Sequence, residues 1–178
     1  VNDAYLRMSG YDREELVGKH LATIDSGNDV AKIEREFAAL IEVGYAQFEV
    51  AHRRKDGSLW PVGVTTTYSP TEGGRFFAFL QDLTESKRAE RELASTVVSR
   101  VNGCVYCCSV HAQRFEQLTK RNDVIAQVFQ EPQGAGTTER ERAIVQASID
   151  LTLDPAGFGA TQLQAVRAAG LNALEVLD

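Results

Sequence analysis

The chain has 178 residues, 43% of them hydrophobic and 25% charged, so a packed core is attainable and wholesale disorder is excluded. Nineteen lysines and arginines against 25 aspartates and glutamates leave a net charge of −6 with no long basic run, so nucleic acid is not expected as a partner. No apolar stretch approaches the ~20 residues a membrane helix needs, and the start lacks the basic-then-apolar pattern of a signal peptide. The expectation is a cytoplasmic chain without membrane contact. It begins at Val1, and its only methionine is Met8, as in a fragment, a processed product or an excerpt.

Residues 1 to about 83 read as mixed helix and strand. Val30, Ile33, Phe37, Leu40 and Ile41 share a helical face that Asn28 or Asp29 can cap and Gly44 ends. The period then changes to two. Gln47 to His52 puts Phe48 and Val50 on one side. Lys55-Asp56-Gly57-Ser58 is a hairpin turn, and Leu59 to Tyr68 alternates Trp60, Val62, Val64, Thr66 and Tyr68. Ser69-Pro70 and Gly73-Gly74 bracket a second turn before a phenylalanine-rich strand, Arg75 to Gln81. Three hairpin-linked strands make an antiparallel meander.

From Thr84 onward the pattern is helical. Thr84 can cap a continuous helix of about 17 residues, ~26 Å long, from Glu85 to Val101. It would turn Leu93, Val97 and Val101 inward and leave Lys87, Arg88 and Arg91 in water. Asn102-Gly103 breaks it, and the next helix carries the cysteines. Residues 131 to 138 are loop. Thr138 with Glu141 makes a capping box before Ile144, Ala147 and Leu151, and Pro155 closes that helix. Thr161 with Gln164 caps another that ends at Gly170, and Asn172 starts a last one. The halves differ in texture, α+β then all-α, so two domains are expected.

All three cysteines, Cys104, Cys107 and Cys108, fall within five residues, which suits redox chemistry or metal better than a disulfide scaffold. Asn102 can cap a helix with Cys104 in its first turn. Cys104, Cys107 and His111 then share one face. A helix N-terminus favours a thiolate, the nucleophilic form, and His111 can take or relay a proton. The spacing lets Cys104 and Cys107 close a disulfide if rotamers permit. A c-type haem site needs histidine where Cys108 stands. Zinc lacks a fourth ligand, because no Cys or His follows His111. Thioredoxin-like chemistry expects a neighbouring strand. A structural role for cysteines in a core helix stays open, and Cys108, about 100° around the helix from Cys107, reads as packing.

Asn2-Asp3-Ala4, Ser9-Gly10-Tyr11, Glu14 to Lys19, His52 to Ser58, Gln81 to Glu85 and Arg88 to Leu93 together resemble a PAS sensor domain, in family order. That resemblance implies a five-stranded sheet whose first two strands precede the Asn-x-Ala helix, so this chain would keep the last three, with an unpaired edge. It implies no covalent flavin chemistry, since no cysteine precedes Cys104. It implies no haem, since no histidine lies on the helix near residues 29 to 43. A ligand-free scaffold or dimerisation module is the expectation.

Arg91 to Ala94, Val98 to Cys107, and His111-Ala112 resemble the carboxymuconolactone decarboxylase and AhpD superfamily, peroxidase-related branch. Its signature is Glu, eleven residues, Cys-x-x-Cys, three residues, His, and Glu92, Cys104, Cys107 and His111 keep that spacing. Glu139 to Ala143 and Leu163 to Leu171 resemble its later helices. The resemblance implies a thiol-dependent hydroperoxide reductase. Cys107 would be the peroxidatic sulfur and Cys104 the resolving one. Glu92 and His111 would form a proton relay, with Glu92 reaching the cysteines across the Asn102-Gly103 break. It further implies no bound cofactor or metal, an external dithiol donor of lipoyl or thioredoxin type, and a homo-oligomer.

The expected fold is therefore α+β: a truncated PAS-like antiparallel sheet with helices over residues 1–88, joined by a shared helix to an all-α AhpD-like domain over 89–178. Residues 88 to 94 fit both patterns, as a natural fusion or a recombined chain would. A second functional reading is a signalling protein in which the PAS-like part dominates and the cysteines sense redox state or do nothing.

Overall fold

The alternation of Trp60, Val62, Val64 and Thr66 buries one face of a three-stranded antiparallel sheet, β1 (Tyr45–Arg53), β2 (Leu59–Ser69) and β3 (Arg75–Asp82), in the order β1-β2-β3. The computed structural model describes residues 1–27, 29–172 and 175. By internal contacts the chain divides into two units, Val1–Thr84 and Glu85–Asp178.

In the first unit, α1 (Asp3–Ser9), α2 (Arg13–Leu16), a 3-10 turn at Leu21–Thr23 and α3 (Val30–Val43) precede the sheet. Asp29 caps α3 by accepting the Lys32 N–H, and Gly44 ends it at φ +79°. The alternative cap, Asn28, lies outside the described residues. Ile33 and Leu40 are buried as expected, whereas Val30 and Ile41 are exposed. His52 pairs with Trp60, and Val64 with Phe48 on one side and Leu80 on the other. Tyr5, Leu16, Ile24, Trp60, Val62 and Val64 form the core. β3 is an edge strand, and its Phe77 and Phe79 are exposed.

The second unit is helical. α4 (Thr84–Val101) is unbroken through Glu92. It starts at Thr84 itself, one residue before the expected Glu85, and Asp82 Oδ1 accepts the Thr84 N–H, 2.8 Å away. Leu93 and Val97 are fully buried and Val101 packs beside them. Arg88 and Arg91 are exposed, but Lys87 is not in water: it is ion-paired with Glu90 and Glu175. α5 (Val105–Thr119) follows, then α6 (Asp123–Gln130), α7 (Glu139–Leu153) and α8 (Ala160–Ala168). The α7 capping box of Thr138 and Glu141 is present. α8 starts earlier than expected, because Gln162 Oε1 accepts the Gly159 N–H at 3.0 Å and displaces the expected Thr161–Gln164 cap. The final helix expected from Asn172 lies outside the described residues except for Asn172 and Glu175. α6 was not expected, yet it supplies Val124, Ile125 and Val128 to the core. Among the described residues, no helix is long and apolar enough to cross a membrane.

Candidate active site

The site is built where α4 meets the N-terminal half of α5. Gly103, at φ +73°, turns the chain, and the Cys104 N–H returns to Ser99 O at 2.9 Å. α5 then starts two residues later than expected. Cys104, not Asn102, is its N-cap, and the Cys104 sulfur accepts the Cys107 N–H at 3.4 Å. Cys104 and Cys107 are joined as a disulfide with Cα atoms 5.5 Å apart. Both are partly exposed, and the two residues between them, Val105 and Tyr106, are each 79% exposed. A small molecule can therefore reach the pair from solvent.

His111, one turn beyond Cys107, is met from α4 by Glu92, whose Oε2 lies 2.7 Å from Nδ1. A carboxylate only accepts hydrogen bonds, so Nδ1 carries the proton and Nε2 is left as the basic nitrogen. The Glu92 side chain is 12% exposed and that of His111 30%, so the pair is sheltered but accessible on the histidine side. Thr96 fixes the local helix geometry, its hydroxyl donating to Glu92 O at 2.7 Å.

Cys108 is separate from this chemistry. It is buried, and its thiol donates to Thr96 O at 3.5 Å, tying α5 to α4. Burial pushes the Cys108 thiol up, which keeps it protonated and unreactive.

The structure thus brings Glu92 onto His111 and Cys104 onto Cys107. Sequence reasoning missed Arg114, whose Nη1 stands 3.8 Å from Glu92 Oε1. Its signal was present, because Arg114 is three residues after His111 and so on the same side of α5. A cavity of about 290 Å³ further along α4 and α5 has an apolar floor of Ala89, Leu93, Phe115 and Leu118, with Arg121 and Arg140 among its polar lining. Both arginines are already held: Arg140 by Glu90 and Glu175, Arg121 by Glu141 and Asp123.

Two family models each match part of the chain. Residues 1–85 match the PAS domain family, and residues 74–150 match the carboxymuconolactone decarboxylase family, so the two matches overlap across β3 and the start of α4. Among solved structures, a PAS domain from a two-component sensor histidine kinase is 26% identical, with a TM-score of 0.39 over 46% of this chain and 71% of that one. The RsLOV d2 variant is 19% identical, with a TM-score of 0.40 over 89% of this chain and 80% of its own. The Erythrobacter litoralis EL346 blue-light activated histidine kinase is 24% identical, with a TM-score of 0.39 over 88% and 55%. No curated protein matches the chain. The chain is thus similar over residues 1–85 to the PAS domain family and over residues 74–150 to the carboxymuconolactone decarboxylase family, each over less than half of its length.

Proposed function

We propose that the helical unit is a thiol-dependent hydroperoxide reductase, with the PAS-like region as an attached sensory or dimerisation module. The observation that carries this reading is the hydrogen bond from Glu92 on α4 to His111 on α5, the helix whose N-terminus bears the Cys104–Cys107 disulfide.

The chemistry balances with these residues and an external dithiol. In the reduced protein the Cys107 thiolate attacks the terminal oxygen of a hydroperoxide. The O–O bond breaks and an S–O bond forms. His111 Nε2, the basic nitrogen, takes the proton of the Cys107 thiol and passes it to the leaving alkoxide, while Glu92 holds Nδ1. The peroxide is reduced to an alcohol and Cys107 is oxidised to a sulfenic acid. The Cys104 thiolate then attacks that sulfur. The S–S bond forms, the S–O bond breaks, and the oxygen leaves as water. A dithiol donor of lipoyl or thioredoxin type returns both cysteines to thiols and becomes a disulfide itself. The sum is hydroperoxide plus dithiol giving alcohol, water and disulfide, and no bound cofactor or metal is required. The N-cap position of Cys104 suits it to hold negative charge, because the first-turn N–H groups of α5 face it. We place the protein in the cytoplasm, acting as a homo-oligomer.

A second reading is a signalling protein whose cysteines sense redox state, and the PAS match over residues 1–85 favours it. Steady-state peroxide consumption with a dithiol donor separates the two. The enzyme reading expects turnover that saturates with peroxide and is lost in Cys107→Ser. Stoichiometric oxidation without turnover contradicts it and leaves the sensor.

A further inference from the structure

We infer that Arg114 is a positioning residue for the proton relay, holding the Glu92 carboxylate in place while His111 gives up and regains its proton. This rests on the hydroperoxide-reductase reading above.

Glu92 is 12% exposed, and a carboxylate so sheltered is costly unless both of its oxygens are served. His111 serves one of them: its Nδ1 lies 2.7 Å from Oε2. Imidazole carries a full positive charge only when both nitrogens are protonated. In the step where Nε2 has donated its proton, His111 is neutral and Glu92 has lost its counter-charge. Arg114 carries a charge that does not cycle, and its Nη1 stands 3.8 Å from the other oxygen, Oε1.

The arrangement is also mechanical. His111 and Arg114 are three residues apart on α5 and therefore on one side of it. They reach the two oxygens of one carboxylate from two successive places along the helix. Rotation of the carboxylate about its last bond would break both contacts at once. The Glu92 backbone is fixed as well, by Thr96 on its own helix. The carboxylate is thus clamped from α5 while the Glu92 carbonyl is held by Thr96 within α4. Arg114 itself is 55% exposed, so it adds charge and orientation from solvent without closing the site.

The test is a double-mutant cycle on peroxide turnover with dithiothreitol as donor and tert-butyl hydroperoxide as substrate, using Arg114→Gln, Arg114→Lys, Glu92→Gln and the Glu92→Gln/Arg114→Gln pair. Arg114→Gln should lower kcat roughly two- to fivefold with KM unchanged, the range open to a half-exposed ion pair. Arg114→Lys should recover most of that loss, because charge is what is required. The gap between wild type and Arg114→Gln should narrow as salt rises toward 1 M, where the Debye length falls to about 3 Å. In the Glu92→Gln background, Arg114→Gln should add nothing. Full activity in Arg114→Gln while Glu92→Gln is crippled overturns the role of Arg114 alone. An equal loss from Arg114→Gln on either background also overturns it, since Arg114 would then act elsewhere. Full activity in Glu92→Gln instead removes the relay on which the inference stands.

Discussion

Glu92 on α4 and His111 on α5 are nineteen residues apart in sequence and 2.7 Å apart in space, joined from Oε2 to Nδ1. The Gly103 turn makes the meeting possible, since α4 ends at Val101 and α5 starts at Val105 after the chain has reversed. One tight turn thus converts a linear spacing into a carboxylate–imidazole pair between α4 and the helix that carries the disulfide.

Glu92→Gln and His111→Ala should each slow peroxide turnover by roughly 10²- to 10⁴-fold, the contribution typical of a positioned acid–base group. Neither should shift the thermal midpoint by more than a few degrees, because the core of this unit is made by Leu93, Val97, Val124, Val128 and Val145. Steady-state kinetics beside thermal melts checks both parts. Unchanged turnover in both variants reduces the pair to a surface ion pair.

Cys108 gives the opposite expectation. Cys108→Ala should leave turnover within about twofold and cost about 1 kcal/mol of stability, the usual size for a small loss of buried packing. Its thiol should resist alkylation in the folded protein and react once the chain is unfolded, because it is buried and its titration is pushed up. Labelling with iodoacetamide followed by mass spectrometry reads this directly. Fast labelling of Cys108 in the native state contradicts the packing role.

Much of this was legible in the sequence, and the misses have physical causes. Strand β2 announced itself through Trp60, Val62, Val64 and Thr66, because one buried face forces a period of two. The α7 capping box was equally plain in Thr138 and Glu141. α6 was overlooked because it is only eight residues long, Asp123–Gln130, and so offers barely two turns of periodicity. Lys87 was assigned to water on local pattern, but Glu175, 88 residues away, is its partner. No local reading reaches that far. The site followed the same rule: the helical spacing of Cys104, Cys107 and His111 could be read from the chain, whereas the third group at Glu92, Arg114, depends on how α4 and α5 pack.

His52 should make the first unit sensitive to acid. It is buried beside Trp60, its Nδ1 lies 2.9 Å from the Tyr5 hydroxyl, and burial lowers its pKa while the charge of Asp25 opposes that shift. A depressed folded-state value means that the unfolded chain binds the proton more readily. The contribution of His52 is therefore complete above the ordinary histidine value near 6.5 and is lost as pH falls below it. Trp60 is the only tryptophan and packs on His52, so its fluorescence reports this unit. The midpoint of its thermal transition should fall between pH 7 and pH 5, and fall less in His52→Gln. Equal slopes in the two proteins would remove His52 as the cause.

The ion cluster at the start of α4 should contribute to stability. Arg140 meets both oxygens of Glu90, at 2.6 and 2.9 Å, and also Glu175 at 2.9 Å. With these side chains about one-fifth exposed, Arg140→Met should cost about 1–3 kcal/mol by leaving Lys87 as the remaining cation beside both carboxylates. Urea unfolding measures it. A loss below about 0.5 kcal/mol would mean that Lys87 and solvent serve Glu90 and Glu175 as well as Arg140 does.

The most direct test of the central claim is a thiol count after a single turnover. Fully reduced protein is mixed with one equivalent of tert-butyl hydroperoxide, and the remaining thiols are located by alkylation and peptide mass spectrometry. The account predicts one alcohol released per chain, loss of two thiols, a Cys104–Cys107 disulfide and an untouched Cys108. In Cys104→Ser it predicts a sulfenic acid trapped on Cys107. Three free thiols after exposure, or oxidation confined to Cys108, would contradict it.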